Sequence, residues 1–192
     1  MVDLGERAGV PHFTLAAIVG ATIARGEPLT EVLPEILDRA DWAGARDAFE
    51  NAYGGAEDLY PDALPTLARL RADGFKVAVI GNQPAVRRTQ LLMLGVDVDV
   101  LTTSEALGAA KPEPAFFSRS LDLMGCPDPG RVVYVGDRVD NDVLPSLGAG
   151  MRPVWLRRGP WGLLQRLPSS AAEVPQAHAL TELPALLANF VV

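Results

Sequence analysis

Arg131-Val132-Val133-Tyr134-Val135-Gly136-Asp137-Arg138-Val139-Asp140-Asn141-Asp142 is the stretch on which the reading of this chain turns. Its first five residues are a short apolar run rich in β-branched and aromatic side chains, the pattern of a strand covered on both faces of a parallel sheet. Gly136 lets the chain turn sharply at the end of that strand. The turn that follows sets carboxylates at 137 and 142, five residues apart, where they can converge on one hard cation such as Mg²⁺. A plainer reading has Asp140 capping the next helix and Asp137 and Asp142 solvated. The residues of the turn leave both readings open.

On either side of this stretch, strand and helix alternate. Lys76–Ile80, Val98–Leu101 and Pro153–Leu156 are further apolar runs. Between them, Asp62 to Gly74, Pro84–Leu94, Pro114–Met124 and a segment from Asp140 or Asn141 to Gly148 space their apolar residues as helices do, with Asp62 and Asp140 or Asn141 as N-caps. Single helices between strands imply right-handed crossovers. The predicted fold class is therefore α/β, a Rossmann-like parallel sheet with helices on both faces, over residues 59–192. Residues 1–58 contain no convincing strand. Phe13–Arg25, Thr30–Arg39 and Trp42–Tyr53 are predicted helices of a small lobe, with Thr30 and Asp41 as caps, and Pro168–Pro175 reads as loop.

With 192 residues and 48% hydrophobic composition, one core-forming domain with an accessory lobe is expected. Seventeen basic against 24 acidic residues give a net charge of −7, a field that repels phosphate backbones and anionic lipids, so neither nucleic acid nor membrane is an expected partner. No apolar run reaches membrane-spanning length. Asp3 and Glu6 stand where a secretion signal would carry positive charge, so a cytoplasmic location is expected. The single Cys126 cannot form an internal disulfide, and His12 and His178 are a poor start for a zinc site or a Ser-His-Asp triad.

In an open parallel sheet, ligands bind beyond the carboxyl ends of the strands. Here those ends carry Gly81-Asn82-Gln83, Thr102-Thr103-Ser104, Gly136-Asp137-Arg138 and Arg157-Arg158-Gly159. Neither a Gly-x-x-x-x-Gly-Lys-Ser/Thr loop nor a Gly-x-Gly-x-x-Gly turn follows a strand, which disfavours nucleotide triphosphate hydrolysis of that kind and dinucleotide binding. Lys111 and Lys76 are the two lysines beside fifteen arginines. Lys111 lies just before a proline-started helix that leads into the Asp137 strand. From there it can reach over the strand end and neutralise a phosphate or a crowded carboxylate, or it can be an ordinary surface lysine.

Together these pieces resemble the haloacid dehalogenase superfamily of Asp-nucleophile phosphohydrolases, over about Tyr60 to Gly162. Val79-Ile80-Gly81-Asn82 is similar to its second motif, with Gly81 in place of a hydroxyl residue; Lys111-Pro112-Glu113-Pro114 is similar to its third, and Gly136-Asp137 through Asn141-Asp142 to its fourth. The resemblance implies phosphate binding by Gly81, Asn82 and Lys111, catalytic roles for Lys111 and Asn82, and metal binding at Asp137 with support from Asp142. It also implies a cap in the helical lobe and Mg²⁺-dependent hydrolysis of a small phosphorylated metabolite through an aspartyl-phosphate. Substrate specificity is expected from the lobe and from Arg138 or Arg157.

One departure stands out. The family's nucleophile sits in an Asp-x-Asp motif at the end of a strand preceding the cap, and no such strand is legible here; Asp3-Leu4-Gly5 is only a faint echo. Loss of that opening segment by a misplaced or shortened start is expected, with weak or absent Mg²⁺ binding and no turnover by the 192 residues alone. A non-catalytic binding or scaffold protein of the same fold is the alternative. Dehalogenation of 2-haloacids needs no metal and is disfavoured by the Asp137 and Asp142 pair. The place of the nucleophile strand, about 9–10 Å across, is expected to be closed by direct pairing of its neighbours, by a segment such as Ala188–Val192, or by a second chain. A homodimer is left open.

Overall fold

Leu15, Val19, Thr22 and Ile23 recur at intervals of three or four and form the buried stripe of α1 (His12–Arg25), with Phe13 left outside. Gly26, at φ 72°, ends this helix in the left-handed conformation; its N–H donates to the Ile23 carbonyl and that of Glu27 to the Thr22 carbonyl. α2 (Leu29–Ile36) follows and buries Leu33. The computed structural model describes residues 6, 9–27, 29–36, 44, 55–56 and 59–188. The predicted Trp42–Tyr53 helix, the Asp41 cap and Asp3 thus lie outside the described residues. The chain forms two compact units, Met1–Tyr53 with Leu163–Gln165, and Gly54–Gly162 with Arg166–Val192. No described helix is long and apolar enough to cross a membrane.

From Ala63 on, the chain runs α3 (Ala63–Ala72), β1 (Ala78–Gly81), α4 (Val86–Met93), β2 (Val100–Thr103), α5 (Ser104–Leu107), α6 (Pro114–Met124), β3 (Val133–Gly136), α7 (Leu144–Gly148), β4 (Arg152–Leu156), α8 (Gly159–Leu164), β5 (Gln176–Ala177) and α9 (Leu183–Leu187). Every strand pairing is parallel. Successive strand residues face opposite ways, and here both faces are apolar. Val133, Val135, Val154, Leu156 and Ala177 pack with Leu70 of α3 and Leu183 and Leu187 of α9. Val132, Tyr134 and Ile80 turn the other way, onto Phe116 and Phe117 of α6 and Met151. This is the α/β layering expected from the sequence.

The sheet itself comes in two pieces, β1 with β2, and β3 with β4 and β5. β1 and β3 share no ladder, so of the three expected closures direct pairing does not occur; residues 189–192 lie outside the described set. Burial follows the break. β4 is buried at four of its five positions, whereas β1 and β3 are half-buried along their whole length. The two pieces are joined by side chains: one apolar cluster holds Ile80 of β1 with Tyr134 of β3, and the other holds Val77 and Val98, which lead into β1 and β2, with Val133 and Val135.

Two expected caps do other work. The Asp62 side chain makes no cap bond; it takes a two-pronged contact from Arg158 Nη1, at 2.7 and 2.9 Å, and the N–H of Leu180 at 2.7 Å. Asp140 lies inside the turn Val139–Val143 rather than just before it, and pairs with Arg138 at 2.6 Å on the surface. In both cases an arginine guanidinium takes hold of a carboxylate that the sequence suggested as a helix cap.

Candidate active site

Gly136 is required here for space. A Cβ at this position would collide with Cβ and Cγ of Asp142 and come within 2.7 Å of its Oδ2. The turn after β3 is wound as one turn of π-helix over Val139–Val143, in which the N–H groups of both Asp142 and Val143 donate to the Arg138 carbonyl. That winding folds Asp142 back under the strand end, where its side chain is almost completely buried. Its Oδ1 accepts from Lys111 Nζ at 2.6 Å and from the Tyr134 hydroxyl at 3.3 Å, and its Oδ2 accepts the Arg138 N–H at 3.1 Å. Burial, and then the Asp142 charge, push the Tyr134 phenol far above its usual range, so it stays a donor.

Lys111 reaches this point because Asn82 holds its backbone. The Asn82 amide donates to the Lys111 carbonyl and its Oδ1 accepts the Lys111 N–H, both at 2.8 Å. The two contacts tie the end of β1 to the loop before α6, 29 residues on. The lysine side chain is 14% exposed, so the ammonium is desolvated by its pairing with Asp142 yet keeps one open side. Gly81, just before Asn82, stands in open space, a Cβ there meeting only Gln83 Cγ at 3.7 Å.

Asp137 is held differently. Its carbonyl accepts the Trp155 indole N–H at 3.0 Å, which fixes the backbone, but no described side chain hydrogen-bonds its carboxylate. Burial first, and then the neighbouring Asp142 charge, raise this carboxyl above the ordinary range. Asp137 and Asp142 together carry one more negative charge than Lys111 neutralises, and the free donors are hard oxygens, the set that suits a divalent cation such as Mg²⁺. Among the described residues, no group of three or more His, Cys, Asp and Glu forms a metal cage.

Of the residues singled out in the sequence, Asn82, Lys111, Asp137 and Asp142 thus belong to one contact network at the carboxyl ends of β1 and β3. Arg138 turns away to Asp140, with its guanidinium over Trp161, and Arg157 lies over Trp155. His12 opens α1, and His178 is exposed near α9. Sequence reading passed over Tyr134 and Trp155. Both are aromatic residues with a polar tip inside a strand, and such tips find a partner when buried, which was the available signal.

A family model described as hydrolase, haloacid dehalogenase-like hydrolase, matches residues 7–150. Over 103 residues the chain is 39% identical to a glyceraldehyde 3-phosphate phosphatase of Methanopyrus kandleri, a match covering 52% of this chain and 44% of that protein. It is 28% identical to a phosphoserine phosphatase of Thermus thermophilus, across 82% and 80% of the two chains. The chain spans about half the length, or less, of the relatives it matches at higher identity. Among solved structures, an HAD phosphatase from Thermococcus onnurineus aligns with a TM-score of 0.60 at 25% identity, covering 97% of this chain and 85% of the other.

Proposed function

This chain belongs to the haloacid dehalogenase-like hydrolase family, and from that premise we propose that it carries the phosphoryl-binding end of a phosphohydrolase acting on a small phosphorylated metabolite. The observation that carries the reading is Lys111, an ammonium seated 2.6 Å from Asp142 and beside the uncompensated Asp137. Phosphoryl transfer is catalysed chiefly by positioning and charge neutralisation, and this arrangement supplies both. Lys111 faces the equatorial oxygens of the phosphoryl group, the backbone at Gly81 lies alongside, and Asn82 keeps Lys111 in place. Asp142 orients Lys111, with Tyr134 and the Arg138 N–H holding its other lone pairs.

Asp137 would hold Mg²⁺, with the Asp142 charge behind it. When bound, the ion would offset negative charge on the transferring phosphoryl group. With so few protein oxygens in reach, the affinity of these residues for Mg²⁺ is weaker than micromolar. Residues 1–58 act as the cap that selects the substrate, and 59–192 as the core.

The covalent step needs a carboxylate in line with phosphorus, forming an acyl phosphate as the ester oxygen leaves, and water then releases phosphate. We assign that carboxylate to a strand lying between β1 and β3. The split sheet and its half-buried inner strands support this placement, and Asp137 and Asp142 are already committed. On this reading, turnover requires that strand and its carboxylate to be in place. The test assays an aryl phosphate with Mg²⁺ against this chain and against a version extended by any in-frame upstream coding sequence, with Asp137→Ala as control. Turnover by the extended protein alone is expected. Metal-dependent turnover by the 192 residues, lost in the control, would point to Asp3. No turnover by either protein would favour a non-catalytic binding role.

A further inference from the structure

Trp155 and Arg157 are two residues apart along β4 and its continuation, so they project to the same side of the sheet. Gln176, the register partner of Trp155 on β5, stands beside them. Trp155 is fixed on two sides. It packs with Val139, Val143, Ala171 and Val174, and its indole N–H is bonded to the Asp137 carbonyl. The Arg157 guanidinium lies over this ring, with its Cζ 5.0 Å from the centroid.

Arg157 differs from the arginines near it. Arg158 is clamped by Asp62 and Arg138 pairs with Asp140, but the Arg157 side chain meets no carboxylate and makes no hydrogen bond among the described residues. Its Nε is withdrawn from solvent without an acceptor. A guanidinium partly out of water and without a counter-charge is costly, and an anion meeting its outer Nη groups relieves that cost.

Arg157 also lines a pocket of about 390 Å³, together with Trp155, Arg166, Leu167, Ala172 and Gln176. The lining thus combines the Arg157 and Arg166 side chains with one amide and a small apolar strip, in a chain whose net charge is −7. We propose that this pocket binds a small organic oxyanion, a carboxylate or a phosphate, through the planar fork of Arg157 with Arg166 and Gln176 at its rim. Two coplanar acceptor oxygens match the fork, and Trp155 holds it ready for them. Leu167 and Ala172 take a short apolar portion of the ligand. The site does not depend on the phosphohydrolase reading, since its anion-binding side chains are not those of the Lys111 network, which it touches only where the Trp155 indole meets the Asp137 carbonyl.

The test follows the Trp155 indole N–H by NMR while the chain is titrated, at constant ionic strength, with sodium phosphate and separately with sodium butyrate. A saturable shift is expected with at least one anion, and the stronger of the two names the preferred oxyanion. Arg157→Gln should weaken the response about tenfold or more, the worth of one charge-assisted contact. The exposed Arg166→Gln should weaken it less. If Arg157→Gln does not fold, Arg157→Lys keeps the charge and removes the fork, and a weakened response is again expected. Undiminished responses in the folded Arg157 variant and in Arg166→Gln would overturn the proposal. So would a titration that moves only the Asn82 and Lys111 amides, because the anion would then sit at the strand ends alone.

Discussion

β1 and β3 end alike, in Ile80-Gly81-Asn82 and Val135-Gly136-Asp137, yet the two ends are built for opposite tasks. At the first, the glycine stands in open space and the polar side chain is satisfied by the Lys111 backbone. At the second, the glycine is pressed against Asp142 and the polar side chain is left without a donor. The first end is a clamp, complete in itself. The second is a charged seat, tightly packed beneath and unbalanced above. Local sequence sets the shape of each end, and long-range partners decide what it does.

The comparison predicts unequal responses to mutation. The largest should come from Asp142→Asn, which strands the Lys111 ammonium in a buried setting; a loss of about 3–5 kcal/mol in urea unfolding is expected. A second change, Lys111→Gln, made in the Asp142→Asn background should recover part of it, and no recovery would mean that the cost lies in the π-turn rather than in the pair. Next in size is the contrast between the glycines. Gly136→Ala should cost about 1–3 kcal/mol through overpacking, and Gly81→Ala no more than about 0.5 kcal/mol. Equal costs would break the comparison outright.

A smaller effect concerns acid, away from both ends. Burial alone would raise the Asp62 carboxyl, but the Arg158 Nη1 contact and the Leu180 N–H outweigh it and hold it below the usual carboxylate range. A carboxyl lowered in the folded state stabilises the protein above its unfolded value, near 3.9, and that contribution fades as pH falls through the lowered value. Asp62→Asn should therefore flatten the acid limb of a stability-against-pH curve while lowering the plateau. An unchanged limb would show that the Arg158 contact is not formed in solution. Smallest is Asp137→Asn, which removes an uncompensated charge. In chelator it should stabilise the chain by about 0.5 kcal/mol, measured from the urea midpoint, whereas destabilisation would mean that Asp137 has a partner in the free protein.

The strands were legible to within two residues, because a run such as Val132 to Val135 has few other homes. Pro114–Met124 was read to the residue, since a proline at the start and Gly125 at the end leave little choice. α5 was missed, although Thr103 caps it through a bond from the Ala106 N–H and the Thr-Ser-Glu-Ala run carries that signal. β5, two residues long, exists only because β4 offers it a ladder, and no local pattern could announce it. The site residues Asn82, Lys111, Asp137 and Asp142 came from motif spacing. Their division into clamp and seat did not, because it rests on contacts such as Asn82 with Lys111 that span 29 residues. The break between β1 and β3 was foreseen as a weakness of the sheet, but its persistence as two separate ladders was not.

Because those ladders are joined by Ile80, Val98, Val133 and Tyr134 rather than by backbone bonds, the joint has an unusual thermal character. Apolar contact weakens on cooling, while hydrogen-bonded ladders do not share that dependence. The seam between the two halves of the sheet is thus the cold-sensitive line of the molecule. Near freezing it is there that amide hydrogens should begin to exchange first, with β4, buried at four of its five positions, the last to follow.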